Sequence, residues 1–322
     1  LNARIGLSWT WNGPLEPMPL ADQEKMIAER GRFASRQIKT EYVKLSGDGN
    51  AGSTGYVIEP YLQTGDHGIH FFSDHELARE VERFDRMGLG ITIHVTGDAA
   101  NRQMIDAVEY VYNKYGELKA RHQLAHASLI HPDDIPRLAK LDITAEFSPV
   151  VWFATDFVQA QIPQIGPTRM KYWYPMKSVI DSGARIAIAS DGPLMWQDTF
   201  QRLESALTRR APDGSTKPLA PKQAIDLASA LKAMTLDSAY LMNLEQEVGS
   251  IEVGKRADMI VLTHHLFAIP TEQIDATKVA LTVFDGKVVF DAQDSPTSVT
   301  AIEEHFGVEL DLSGDAGYPG CE

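Results

Sequence analysis

Three apolar runs in this chain each end on a residue that can bind a metal or move a proton. Ile91-Thr92-Ile93 leads to His94 and on to Gly97-Asp98; Gln123-Leu124-Ala125 leads to His126; Ile186-Ala187-Ile188-Ala189-Ser190 leads to Asp191-Gly192. Short apolar and β-branched runs bounded by turn residues read as buried strands. Polar residues at the C-terminal ends of several different strands suit a parallel barrel, whose open face carries its chemistry.

The rest of the pattern alternates. Residues 1–11 read as a strand, and 20–35 as a helix that buries Met26, Ile27 and Phe33. Residues 42–46 form a strand that runs into a glycine-rich loop over 47–55, containing Asp48-Gly49. Ser73-Asp74-His75-Glu76 is a capping-box sequence that opens a helix to about Met87. Residues 99–115 read as a helix with Met104, Ile105, Val108, Val111 and Tyr112 on one face. The second histidine strand covers 121–127, and Pro132 begins a helix. A strand over 143–147, a long aromatic segment, a helix near 174–182, a strand over 184–190 and a helix over 196–210 follow.

Six strands alternating with helices imply a parallel sheet with right-handed crossovers. A doubly wound open sheet would accommodate six; the polar strand ends favour the barrel. A barrel needs eight strands, so two would precede Leu1. The chain opens on leucine, inside what reads as a strand, and is read as part of a longer protein. After residue 243 the texture changes: 248–262 and 278–290 read as strands, with Asp285-Gly286 as a hairpin turn. The expected organisation is a partial barrel over 1–243, a β subdomain over 244–292 and a tail over 293–322 with a short helical pattern near 297–306.

The net charge of −14 over 322 residues disfavours binding of nucleic acid or anionic membranes by bulk electrostatics. No apolar run approaches the roughly 20 residues of a membrane span. Cys321 is the one cysteine, so no intrachain disulfide forms. The compartment stays open, with the cytoplasm slightly favoured, and a homo-oligomer is compatible with the composition.

A lone histidine in a strand is more often packed than a ligand, and an aspartate in Ser-Asp-Gly is as easily a turn former. Together, His94, His126 and Asp191 are hard to explain as packing. Two neutral nitrogens and one anionic oxygen suit zinc, ahead of iron or manganese. A cation held this way lowers the pKa of bound water towards roughly 7. Asp191 could take the proton of that water and pass it to a leaving group. His122, four residues before His126, would sit deeper and be structural. Lys44 lies inside the apolar run Tyr42-Val43-Lys44-Leu45, where it must be paired, snorkelling, outward-facing or functional. Weaker candidates are Glu146 in an apolar strand, the aromatic residues Trp152, Phe153, Tyr172, Trp173 and Trp196, and Arg169 with Lys171 for a substrate carboxylate. Asp98 reads as a helix cap or a supporting partner. The glycine-rich loop lacks the P-loop pattern, so nucleotide binding has no support.

The segments VKLSGDG, ITIHVTGD, RHQLAHASLIHPDDIPRL, IAIASDGP and GSIEVGKRADMIVL span about Glu41 to Phe290. On them the chain resembles the amidohydrolase superfamily, in the branch of N-substituted formamide deformylase-like metal-dependent hydrolases. The last segment resembles the family's return from its barrel to a flanking β-sandwich. The resemblance implies a TIM-type (β/α)8 barrel, with strands three to eight in this chain and a remnant of the sandwich. It implies a centre of one or two metals, with Lys44 carbamylated and bridging them. It further implies His94 (after strand five) and His126 (after strand six) as ligands, and Asp191 (after strand eight) as ligand and general base. The family's His-x-His pair after strand one is absent here, and His264-His265 lies in the β subdomain.

The function expected is metal-dependent hydrolysis of a non-peptide C–N bond in a small amide, N-acyl or formamide-type substrate. Esters, lactones and cyclic amides present a similar carbonyl, and a barrel lyase would differ only in its products. The alternative is a non-catalytic or partner-dependent incomplete barrel without its metal pair.

Overall fold

The computed structural model describes residues 2–14, 18–50, 52–148, 153–192 and 198–293. Six parallel strands form the main sheet: β1 (Ile5–Thr10), β2 (Ile38–Ser46), β3 (Gly90–Val95), β4 (Gln123–His126), β5 (Thr144–Phe147) and β6 (Ile186–Ile188). Their order across the sheet is their order in the sequence. A doubly wound sheet reverses at a switch point. This one never reverses, so each crossover displaces the chain in the same sense, as in a barrel wall. Among the described residues β1 and β6 do not pair with each other, so the sheet is open.

Strand composition explains the burial. Val43, Leu45, Ile91, Ile93, Val95, Leu124 and Ala145 are fully buried, as expected where a parallel sheet is covered on both faces. The helices are α1 (Leu20–Ala28), α2 (Asp74–Arg86), α3 (Asp98–Tyr115), α4 (Ile135–Lys140), α5 (Asp156–Ile165), α6 (Met176–Asp181), α7 (Thr199–Thr208), α8 (Leu227–Met234) and α9 (Leu236–Leu241). The capping box at α2 is formed: Ser73 Oγ accepts from Glu76 N, and Glu76 Oε2 accepts from Ser73 N at 2.9 Å. Leu77, Val81 and Phe84 then face the core with Met104, Ile105, Val108 and Val111 of α3. No helix among the described residues is long and apolar enough to cross a membrane.

Several local expectations differ from the structure. α1 stops at Ala28 and a 3-10 turn follows; Ile27 is buried, but Met26 and Phe33 are exposed, and Phe33 instead leans on Trp9 with ring centroids 5.4 Å apart. Tyr112 is also exposed. Pro132 lies in a turn, and α4 begins at Ile135 with Pro136 in its first turn. α5, capped by Thr155, occupies part of the aromatic segment for which no helix was expected.

A second sheet is antiparallel, with β7 (Met259–Leu262), β8 (Val279–Phe284) and β9 (Lys287–Asp291). Residues 248–258 are turns rather than a strand. Asp285 and Gly286 both have positive φ (51° and 80°), the turn geometry that suits the strand twist of a tight hairpin. Arg4 Nε donates to Asp258 Oδ2 at 2.6 Å, and Arg36 Nη2 to Asp285 at 2.6 Å, so the two sheets are joined by ion pairs. Trp152, Trp196, Cys321 and the helical pattern near 297–306 lie outside the described residues.

Candidate active site

Register sets the four sequence candidates at one end of the sheet. Lys44 lies beside Thr10 and Thr92, Ser46 beside His94, His94 beside Ala125, and Ala125 beside Glu146. His94 and His126 meet edge to face, with ring centroids 4.5 Å apart. Asp191 follows β6 and brings Oδ2 to 3.9 Å from His126 Nδ1. Ser148 Oγ stands 3.4 Å from the same nitrogen and 3.5 Å from Glu146 Oε1. His126, Ala127 and Asp191 have φ of 70°, 46° and 54°. Left-handed backbone at non-glycine residues is strained and clusters at functional sites.

The electrostatics follow from burial. Burial lowers the Lys44 pKa, opposed by the carboxylates of Glu146 and Asp191. Burial also lowers His94, and the Gly49 carbonyl 3.1 Å from its Nε2 opposes that shift. For His126, burial, then His94 and Lys44, bring the pKa down from 6.5 to about 3. Glu146 is raised, again by burial first, with Lys44 opposing. Both imidazoles are therefore held neutral, with lone pairs available, and Lys44 is shifted towards its uncharged amine.

A measurable sign follows for His126. Its folded pKa lies below its ordinary one, so neutrality favours the fold. That contribution is whole above pH 6.5 and is lost as the pH falls towards 3. Imidazole NMR of the metal-free chain at pH 5 is expected to find His126 uncharged; a titration midpoint near 6.5 would contradict this. Asp48 runs the opposite way. Burial raises it to about 7, so its contribution is present below its ordinary pKa and is lost as the pH rises through 7.

Among the described residues, no group of three or more His, Cys, Asp or Glu side chains is placed to hold a cation by itself. The chemistry of the donors nonetheless fits a divalent ion. There are two neutral imidazoles, one carboxylate beside them and a buried lysine whose pKa is lowered. The Gly49 carbonyl can only accept, so His94 Nε2 carries the proton and Nδ1 keeps its lone pair. Metal-ligating histidines commonly make such an outer bond through their second nitrogen.

His122 sits away from this group, fully buried, with Nε2 3.2 Å from Asp85 Oδ1 and Nδ1 accepting from Ile91 N. That is the structural position its spacing implied. Asp98 is the first residue of α3 rather than its cap, and its Oδ1 accepts from Ile58 N at 2.8 Å. Arg169 is occupied by the carbonyls of Ile165, Glu59, Pro60 and Gln164, and Lys171 is exposed. Phe153 and Trp173 are buried. A cavity of about 690 Å³ lies at the opposite end of the sheet, against Tyr42, Gly90, Arg121 and Tyr240. There Tyr240 is stacked between the guanidinium groups of Arg121 and Arg185, 3.5 and 3.8 Å from its ring centre. This cluster fastens α9 beneath β4 and β6.

Three buried residues were not singled out from the sequence. Asp48 is buried against the end of β3. Tyr174 donates its backbone N–H to Ser128 O at 2.8 Å, and its hydroxyl accepts from Ser128 Oγ at 2.9 Å, which steadies the loop after His126. Arg209 is fully buried and donates to Leu219 O and Trp173 O; burial lowers its pKa to about 9. The one available signal was Asp48, an aspartate between two glycines four residues after Lys44.

The comparisons with known proteins place the chain in a family. Residues 8–290 match the model of the Amidohydrolase family. The putative amidohydrolase YtcJ of Bacillus subtilis is 28% identical over 253 residues, covering 77% of this chain and 47% of that protein. The N-substituted formamide deformylase of Arthrobacter pascens is 27% identical over 228 residues, covering 71% of this chain and 41% of that protein. A crystal structure of an uncharacterized metal-dependent hydrolase from Pyrococcus horikoshii superposes with a TM-score of 0.65 at 24% identity, covering 77% of this chain and 50% of that one. The chain thus spans about half the length of the curated relatives it matches. With the family model covering β2 to β8 and all four candidate residues, the chain belongs to the amidohydrolase family.

Proposed function

We propose that these six strands are strands three to eight of a (β/α)8 barrel, and that the protein is a metal-dependent hydrolase of non-peptide C–N bonds. The substrate class is a small amide, N-acyl or formamide-type molecule. The observation that carries this reading is the convergence of His94, His126 and Asp191 from three strand ends, with Lys44 close enough to depress both histidines.

His94, His126, Asp191 and Lys44 would hold a divalent cation, zinc by donor type. Lys44 would do so as its carbamate, for which an uncharged amine is the reactive form. When bound, the cation polarises the substrate carbonyl and acidifies water. Asp191, partly exposed beside His126, takes a proton from the attacking water at its carboxylate and returns it to the departing nitrogen. The histidines stay neutral through the cycle because burial opposes their protonation.

The test is release of amine from a panel of N-alkylformamides and N-acylamines, with and without added zinc and a chelator. Zinc-dependent release abolished by the chelator is the expected result; no turnover of any member, or turnover indifferent to the chelator, would contradict it. The alternative reading is a partner-dependent or non-catalytic scaffold. Such a chain would bind no stoichiometric metal.

A further inference from the structure

We propose that Asp48 is a positioning residue for His94: its buried carboxylate pins the Gly47–Gly49 turn to the end of β3, so that the Gly49 carbonyl holds the His94 proton on Nε2 and leaves Nδ1 bare. The inference rests on the reading of His94 as a ligand only for its consequence, not for its geometry.

Asp48 gathers donors from both of the segments it joins. Its Oδ1 accepts from Thr96 N at 2.9 Å, and its Oδ2 accepts from Gly97 N at 2.8 Å and Tyr56 N at 2.9 Å. The Thr96 hydroxyl lies 2.8 Å from Gly49 O and 3.2 Å from Asp48 Oδ2. Gly47 N donates to His94 O at 2.8 Å, closing the turn on the strand. The fit is tight. A Cβ on Gly97 would fall 2.0 Å from Tyr56 O, so the two segments approach as only glycine permits.

The result is a carbonyl fixed in space. Gly49 O lies 3.1 Å from His94 Nε2, while the Asp48 carboxylate itself stays 3.9 Å away. Asp48 therefore acts through Gly49 rather than directly on the ring. A buried carboxylate that spends its lone pairs on backbone N–H groups of Tyr56, Thr96 and Gly97 could have been replaced by an ordinary turn, had the turn only to close. Here its bonds determine which nitrogen of His94 is free, and a ligand turned by one nitrogen points elsewhere.

The test is nitrogen-detected histidine NMR on the metal-free chain above pH 7, where Asp48 is a carboxylate, with a zinc titration beside it. In the unaltered chain His94 is expected as a single Nε2–H tautomer. Asp48→Asn presents an amide donor to backbone donors, and is expected to give mixed His94 tautomers and zinc binding weaker by about 10–100-fold, the range for lost outer partners of a metal ligand. Asp85→Asn is the control. Asp85 is also a buried carboxylate, bound to His122 Nε2 and to the N–H groups of Lys119 and Ala120. Its loss is expected to lower the melting temperature while leaving the His94 tautomer intact. Thr96→Val removes only the shared hydroxyl and is expected to cause partial mixing if Asp48→Asn does not fold. A proton on Nδ1 in the unaltered chain, or a single Nε2–H tautomer kept in the Asp48→Asn chain, overturns the proposal. Because the tautomer is read without metal or substrate, the role of Asp48 is tested even in a chain that lacks hydrolase activity.

Discussion

Asp191→Asn is expected to reduce kcat/KM for C–N hydrolysis by about 10²–10⁴-fold, the usual worth of a positioned acid–base group. Asparagine keeps the size of aspartate and tolerates left-handed backbone, so the turn at φ 54° survives the change. What it loses is the capacity to accept a proton and return it. The carboxylate stands 3.9 Å from His126 Nδ1 and is partly exposed. The check is steady-state kinetics of the zinc-loaded protein, with a thermal melt to show that the fold is intact. A folded variant with an unchanged rate would remove Asp191 from the chemistry.

Lys44→Met is expected to abolish tight zinc binding without harming the fold. Methionine matches the length of lysine but carries no nitrogen that could become a carbamate. Burial already disfavours the ammonium of Lys44, so an apolar side chain of similar length removes that desolvation cost but leaves the neighbouring carboxylates without a cation. The accompanying change falls on Glu146, which loses its neighbouring cation and is pushed further towards its protonated form. Zinc affinity is expected to fall by more than about 100-fold, beyond what outer partners alone cost, while the metal-free chain still melts cooperatively because Glu146 can take up a proton in place of the lost cation. Retained zinc binding, or a collapse of the fold, would make Lys44 structural. Loss of binding in a chain that still folds is what separates the two cases.

Much of the architecture was legible because it rests on local rules. The run ITIHV reads as a buried strand, and Ser73-Glu76 and Asp285-Gly286 mark a helix start and a hairpin by hydrogen bonding and positive φ. The placing of His94, His126 and Asp191 at strand ends followed from the same runs. What was illegible depends on partners distant in sequence. Phe33 looks like a core residue until Trp9 is seen to meet it at the surface. Arg209 is a fully buried guanidinium held by the carbonyls of Trp173 and Leu219, and its own segment gives no hint of that. Asp48 in Gly-Asp-Gly looks like a turn former; its tie to Thr96 and Gly97 exists only after β2 and β3 have paired.

The most direct test of the central claim, that these strand ends form a metal centre, is the zinc content of the purified chain after metal addition and removal of excess. The account predicts roughly one or two zinc ions per chain, lost on His94→Ala with His126→Ala while the circular dichroism is unchanged. A folded chain that retains no stoichiometric metal, or that keeps it when both histidines are gone, would contradict it.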